Sequence, residues 1–157
     1  MMWLESRSTR YQKLAPQVIP YLGSTASKIT LCLFIKNVGE GCAKDVKVKI
    51  LKDYNCFGKK DYRLSDFPIF KDGVNIFHSG YELHYYLNSW EEIVRNDSDK
   101  EYIELEISCS DIKGQKQKPQ RYRLEFNQIR SNYSTPPETY EGQIAYYLNE
   151  IHKDLKK

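Results

Sequence analysis

The residues with the greatest potential for chemistry in this chain are a few histidines and the acids near them. His78 and His84 flank a Ser79-Gly80 turn, and Glu82 lies between them. A general base needs a second group to orient it and a nucleophile or substrate proton to serve. Alternation along a strand puts Glu82 and His84 on one face without such a third group. We therefore predict no catalytic residue and no enzymatic activity.

The cysteines lack the spacing of a metal site. Zinc sites usually take paired cysteines as C-x-x-C and complete the coordination with nearby histidines. Here the cysteines are far apart, at Cys32, Cys42, Cys56 and Cys109. We predict no metal and no cofactor. Cys32 and Cys109 lie in strand-like runs and are expected as reduced core thiols, although in an exported protein they could instead meet in a disulfide.

Length and charge give broad limits on the protein class. The chain has 157 residues, and its 24 basic and 21 acidic side chains leave a net charge of only +3. That length suits one domain, and that charge is far from the concentrated positive field of a dedicated nucleic-acid binder. Without an apolar run of about 20 residues or a signal-peptide core, we expect a soluble cytoplasmic chain.

The segment from Ile29 to Leu51 contains two strand-like runs joined by a glycine-bearing turn. Apolar residues alternate with other residues in both runs, as the period of two in a pleated strand requires. In the second run lysines occupy the alternate positions, which indicates a strand buried on one face only. The residues predicted to face the core are Leu31, Leu33, Ile35, Val46, Val48 and Ile50.

The turn between these runs carries the pattern N-x-G-x-G-x-A-x-x-V, at Asn37, Gly39, Gly41, Ala43 and Val46. This pattern resembles the early strand–turn–strand of bacterial immunoglobulin-like sandwiches. That group includes the cell-adhesion-related type and many uncharacterised proteins that are often tethered to a membrane. The resemblance covers roughly residues 20 to 128. It implies an immunoglobulin-like fold, a bacterial protein and a tether absent from this chain, and it supplies no catalytic residue.

Further alternating runs follow at residues 81–87, 102–111 and 120–127, and one or two short edge strands are expected between 56 and 77. About seven strands without a long helical period favour two packed antiparallel sheets. The predicted fold is therefore mainly β, a two-sheet immunoglobulin-like sandwich with a C-terminal amphipathic helix. We predict a lead-in or linker over 1–16, the sandwich over 17–130 and the helix within 131–157.

The C-terminal helix is predicted from its start signal and its periodicity. Thr135-Pro136-Pro137-Glu138 offers a capping hydroxyl, prolines in the first turn and a glutamate three residues after the cap. Apolar residues then recur every three or four positions. We expect this stripe to pack across the sandwich and close its core, and the alternative is a helix that binds a partner. The stripe consists of Tyr140, Ile144, Tyr147, Leu148, Ile151 and Leu155.

We interpret the protein as a non-enzymatic interaction or accessory module of a bacterial, membrane-associated protein. We expect it in the cytoplasm, at the inner face of the membrane. A protein partner of unidentified kind is expected in preference to nucleic acid. One alternative is a nucleic-acid-binding module that uses the basic hairpin 113–123, and the other is an exported adhesion or carbohydrate-binding domain. The oligomeric state is left open. The predicted partner-binding residues are Lys116, Lys118, Arg121, Arg123, Tyr86 and Tyr146.

Overall fold

Seven β-strands in two antiparallel sheets dominate the structure, a computed structural model that describes residues 15–25, 30–54, 63–96, 101–132 and 139–156. One sheet has the order β1-β2-β5 and the other the order β4-β3-β6-β7. The predicted mainly β, two-sheet architecture is confirmed. The strands are β1 (Val18–Ser24), β2 (Thr30–Asn37), β3 (Ala43–Lys52), β4 (Val74–Phe77), β5 (Glu82–Ser89), β6 (Tyr102–Ser110) and β7 (Gln120–Glu125).

Short helices connect the strands, and a longer helix follows them. They are α1 (Pro68–Lys71), α2 (Trp90–Arg95) and α3 (Tyr140–Leu155), with 3-10 turns at Leu64–Asp66 and Phe126–Asn132. The C-terminal helix is confirmed, but the start predicted at Thr135 is wrong for α3. Thr139 is extended at φ −89° and ψ 148°, and its hydroxyl accepts the N–H of Gly142, so Thr139 is the N-cap. Residues 133–138 lie outside the described residues.

The chain divides into two compact units, which we describe separately. Unit 1 comprises Met1–Tyr21, Phe34–His84 and Tyr102–Leu124, and unit 2 comprises Leu22–Leu33, Tyr85–Glu101 and Glu125–Lys157.

Strand β3 supplies much of the core of unit 1. Val46 and Val48 are buried while Lys47 and Lys49 are exposed, as the alternation predicts. The register with β6 slips by one residue between Lys44 and Lys47. Asp45 lies at this slip with φ 50°, a left-handed conformation that a β-bulge accommodates. The predicted edge strand is present as β4, which pairs with β3.

Asn37, at the end of β2, joins several segments of unit 1. Its side chain is fully buried, and its Oδ1 accepts the N–H groups of Gln17 and Gly39, both at 3.1 Å. Its Nδ2 donates to the carbonyls of Gly41 at 2.8 Å and Phe77 at 3.0 Å. Two donors and two acceptor positions are the full capacity of an amide, so no polar atom of this side chain is left unsatisfied.

Gly39, two residues further on, lies against the backbone that precedes β1. A Cβ at this position would lie 2.4 Å from the carbonyl oxygen of Ala15 and 2.5 Å from the nitrogen of Gln17. Neither atom belongs to a flexible side chain, so any larger residue would displace the main chain. This close approach explains why the turn contains glycine here.

Unit 2 is built around Trp90, the first residue of α2. The indole is fully buried and donates its Nε1–H to the hydroxyl of Ser24 at 2.8 Å. Ser89 caps α2, and the N–H of Phe126 donates to the carbonyl of Glu101. The buried side chains of this core include Leu31, Leu33, Leu87, Ile93 and Phe126.

We expect Asn37→Asp to lower the free energy of unfolding at pH 7 by about 2–4 kcal/mol. A carboxylate oxygen in place of Nδ2 would face two carbonyl oxygens without a proton to share, in a buried position. Urea unfolding measures the change. Asn75→Asp on the exposed part of β4 is the matched control and should change stability by less than about 0.5 kcal/mol. Equal losses in the two variants would contradict the role assigned to Asn37.

Candidate functional site

The apolar stripe of α3 faces solvent. Ile144 and Leu148 are each 62% exposed, and Tyr147, the least exposed of the six residues, still has 54% of its surface accessible. The expectation that this stripe closes the core of the sandwich is therefore wrong. The six exposed side chains, which we call the apolar face, are Tyr140, Ile144, Tyr147, Leu148, Ile151 and Leu155.

The opposite side of α3 is the one turned toward the rest of unit 2. Gly142 is buried, and Tyr146 and Glu150 are half-buried. Between this side and the start of β2 and α2 lies a cleft of about 180 Å³. Its walls are Ala145, Tyr146, Asn149, Glu150 and Lys153 on the helix, with Thr30, Ser89 and Glu91 across from them.

An ion-pair network crosses from α3 to α2. The Lys153 ammonium lies 2.9 Å from a Glu150 carboxylate oxygen and 3.9 Å from one of Glu91. The hydrogen bond that Lys153 donates to Glu150, and then the charge of Glu91, raise the pKa of Lys153. All three side chains are about half exposed, so water and salt screen these pairs and they contribute little.

Polar contacts thus lie on the inner side of α3 while its apolar residues remain in water. The core of unit 2 is formed by other side chains, among them Trp90, Ile93 and Phe126, all fully buried. Several large apolar side chains grouped on one exposed face mark an interaction site more often than isolated ones do. The apolar face is therefore the strongest candidate site among the described residues.

The two predicted tyrosines occupy different environments. Tyr86 in β5 is 46% exposed. Tyr146 lines the cleft beneath α3, and its ring contacts that of Tyr147 edge-on with centroids 5.4 Å apart. Tyr147 is the more exposed of this pair, and the helical spacing of three and four already placed it in the stripe without Tyr146.

The basic hairpin is partly neutralised by its neighbours. Arg121 pairs with Glu106 on β6 at 2.9 Å, and this hydrogen bond raises the pKa of Arg121. Arg123 stacks over the Tyr102 ring at 3.9 Å, and Lys52 approaches the same ring at 3.8 Å. The backbone of Lys116 forms an isolated antiparallel β-bridge with that of Ser110, and Lys118 lines a cavity of about 220 Å³ beside β1. Two of the four predicted cations, Arg121 and Arg123, are thus engaged by neighbouring side chains.

Buried thiols, not a disulfide, occupy the strands. Cys32 and Cys109 are both buried and free, and Cys42 is free and partly exposed. Burial raises the pKa of the Cys32 and Cys109 thiols. The Cys109 thiol also contacts the Gln117 side chain at 3.5 Å. Cys56 lies outside the described residues.

The acidic residue near the histidines belongs to a packed surface cluster on unit 1. Glu82 accepts a 2.6 Å hydrogen bond from the Tyr21 hydroxyl and lies 3.5 Å from the Lys36 ammonium. Partial burial, together with Glu82, raises the pKa of Tyr21 to about 12. The Tyr21 ring stacks on Phe34 at 4.9 Å, and His84 lies 5.7 Å beyond Phe34. These contacts join three neighbouring strands through their side chains.

Among the described residues, no cluster of three or more histidine, cysteine or acidic side chains could hold a metal ion. In the same part of the chain, each helix is too short or too polar to cross a lipid bilayer.

The sheets, the helix and these surfaces define a mainly β protein with an exposed apolar helix face. The chain belongs to the family described as Domain of unknown function (DUF8453), whose model matches residues 2–130. Neither a comparison with curated proteins nor one with solved structures found a match. The matched range ends before α3, so the apolar face lies outside it.

We expect Leu148→Lys to leave the free energy of unfolding within about 0.5 kcal/mol of the original value, because the side chain is mostly in water. By contrast, Leu33→Ala should cost about 2–5 kcal/mol, since Leu33 is fully buried in β2. Urea unfolding at low protein concentration compares the two. A large loss in Leu148→Lys would mean that the stripe belongs to the core.

We also expect the thiols of the folded protein to differ in their rates of alkylation at neutral pH. Cys42 should react before Cys32 and Cys109, because burial of those two limits access and disfavours the thiolate. Peptide mapping after a timed iodoacetamide pulse measures this order, and a urea-unfolded sample serves as the control. Fast alkylation of Cys32 or Cys109 would contradict their buried positions.

Proposed function

We propose that this protein is a non-enzymatic interaction module that binds another polypeptide through the apolar face of α3. The observation that carries the proposal is the orientation of this helix. Its small and polar residues are turned toward the rest of unit 2, while six large apolar residues project into water. An amphipathic helix of this kind is one of the recurring elements of peptide and protein recognition.

The charges of α3 favour a polypeptide over a lipid surface as the ligand. Helices that lie on membranes usually concentrate lysine and arginine along their polar side. The polar side of α3 instead combines Glu141, Glu150 and Asp154 with Lys153 and Lys156. A bacterial origin and a membrane-bound setting remain predictions from the resemblance.

The other two functions have less support. A nucleic-acid interface needs several cations available to phosphates, but Arg121 is paired with Glu106 and Arg123 lies on an aromatic ring. For an exported adhesion domain we expect a disulfide at Cys32 or Cys109, whereas both are free thiols in the structure.

Site-specific photo-crosslinking tests the proposal. A photoreactive amino acid at position 148 should give a discrete covalent adduct with a polypeptide in cells that produce the protein. The matched control carries the same group at Ile112, which is also 62% exposed but lies in the turn after β6. Equal labelling at both positions, or none at position 148, would overturn the proposed function.

A further inference from the structure

Four residues of the apolar face are arranged like the seam of a coiled coil. Ile144, Leu148, Ile151 and Leu155 follow one another at intervals of four, three and four. This spacing keeps their side chains on one line, where they can insert between the residues of a facing helix. Gly142 does not interrupt the seam, because it is buried on the opposite side of α3.

The seam is complementary to itself when two helices run antiparallel. If Leu148 of one copy faces Ile151 of another, the same register puts Ile144 opposite Leu155, since both pairs are symmetric about the point between residues 149 and 150. A two-fold axis through that point makes the contact closed, with the same patch used by both partners. Each seam residue is then opposite an apolar residue.

The charges at the ends of the helix favour this orientation. Glu141 lies in the first turn of α3 and Lys156 is its C-cap, and both are exposed. In the antiparallel register their positions differ by about 3 Å along the axis, so the negative charge of Glu141 in each copy is at the same end of the pair as the positive charge of Lys156 in the other. Antiparallel helix dipoles add to the attraction. A parallel pair would instead align Glu141 with Glu141, about 22 Å from either Lys156.

We propose that the occupant of the apolar face is a second copy of this chain, held by antiparallel pairing of two α3 helices. This inference rests on the proposed function and names its partner. With 16 residues, α3 is about 24 Å long and offers a footprint of a few hundred Å², against about 800 Å² per partner in a typical stable interface. The dimer is therefore weak and depends on protein concentration.

Sedimentation equilibrium of the purified full chain, from about 5 to about 500 µM, tests the pairing. The mass should rise from monomer toward dimer across this range. Leu148→Lys should weaken association by at least about tenfold, because it brings an ammonium group into the apolar seam. Ile112→Lys, equally exposed in the original protein, should leave association unchanged. A monomer at every concentration, or equal weakening by both substitutions, would overturn the inference.

Charge exchange tests the antiparallel orientation. Glu141→Lys and Lys156→Glu should each weaken the dimer by about threefold or more, since each places like charges together at both ends. The double variant E141K/K156E should recover the original association, because the pair is restored with its signs exchanged. A double variant as weak as the single ones would overturn the antiparallel arrangement.

The crosslinking experiment separates failure of this inference from failure of the proposed function. An adduct at position 148 with twice the mass of the chain supports self-association. An adduct only with a different polypeptide, together with a monomeric purified protein, would overturn the second copy as occupant while leaving the interaction module intact. A monomer that gives no adduct but floats with phospholipid vesicles would overturn both.

Discussion

The buried amide of Asn37 holds together segments that are far apart in the sequence. Its side chain connects the backbone before β1, the turn after β2 and the end of β4. Its main chain adds an N–H bond to the Tyr81 carbonyl and accepts the N–H of Gly80. Hydrogen bonds in such an enclosed site are strong, and the cost of losing any partner is correspondingly high. The arrangement of unit 1 near this turn depends on all four hydrogen bonds of the Asn37 side chain forming together.

On the four-stranded sheet, acidic side chains lie beside the basic ones and offset their positive charge. Lys49 is opposite Glu106 in the β3–β6 register, and Glu106 in turn pairs with Arg121 of β7. Opposite charges on neighbouring strands stabilise a sheet modestly and remove the concentrated positive field that a count of lysines and arginines suggests. The hairpin is thus basic in composition while its exposed field is mixed.

The position of α3 reverses the usual relation between an amphipathic helix and its own domain. Such a helix normally buries its apolar stripe and leaves its polar residues in water. Here other side chains form the neighbouring core, and Glu91 on α2 lies 3.9 Å from the Lys153 ammonium. The helix therefore lies on its polar side, and its hydrophobic free energy is available for association.

Local patterns in the sequence were sufficient to predict the strands of this protein and its two-sheet class. The alternation of Val46 and Val48 with lysines was readable because it depends on near neighbours. The helical spacing of three and four residues likewise established that α3 has an apolar stripe. The residues around Thr135 have the local features of a helix start, yet Thr139 also carries a hydroxyl and forms the capping bond.

Only the tertiary structure decided which way the stripe points and which atoms Asn37 satisfies. Periodicity defines the faces of a helix relative to each other, but the direction of either face depends on the space left by residues such as Trp90 and Phe126, which are distant in sequence. The partners of Asn37 come from positions 17, 39, 41 and 77 for the same reason. Long-range packing and hydrogen bonding select among locally equivalent arrangements, and no short stretch of sequence contains that information.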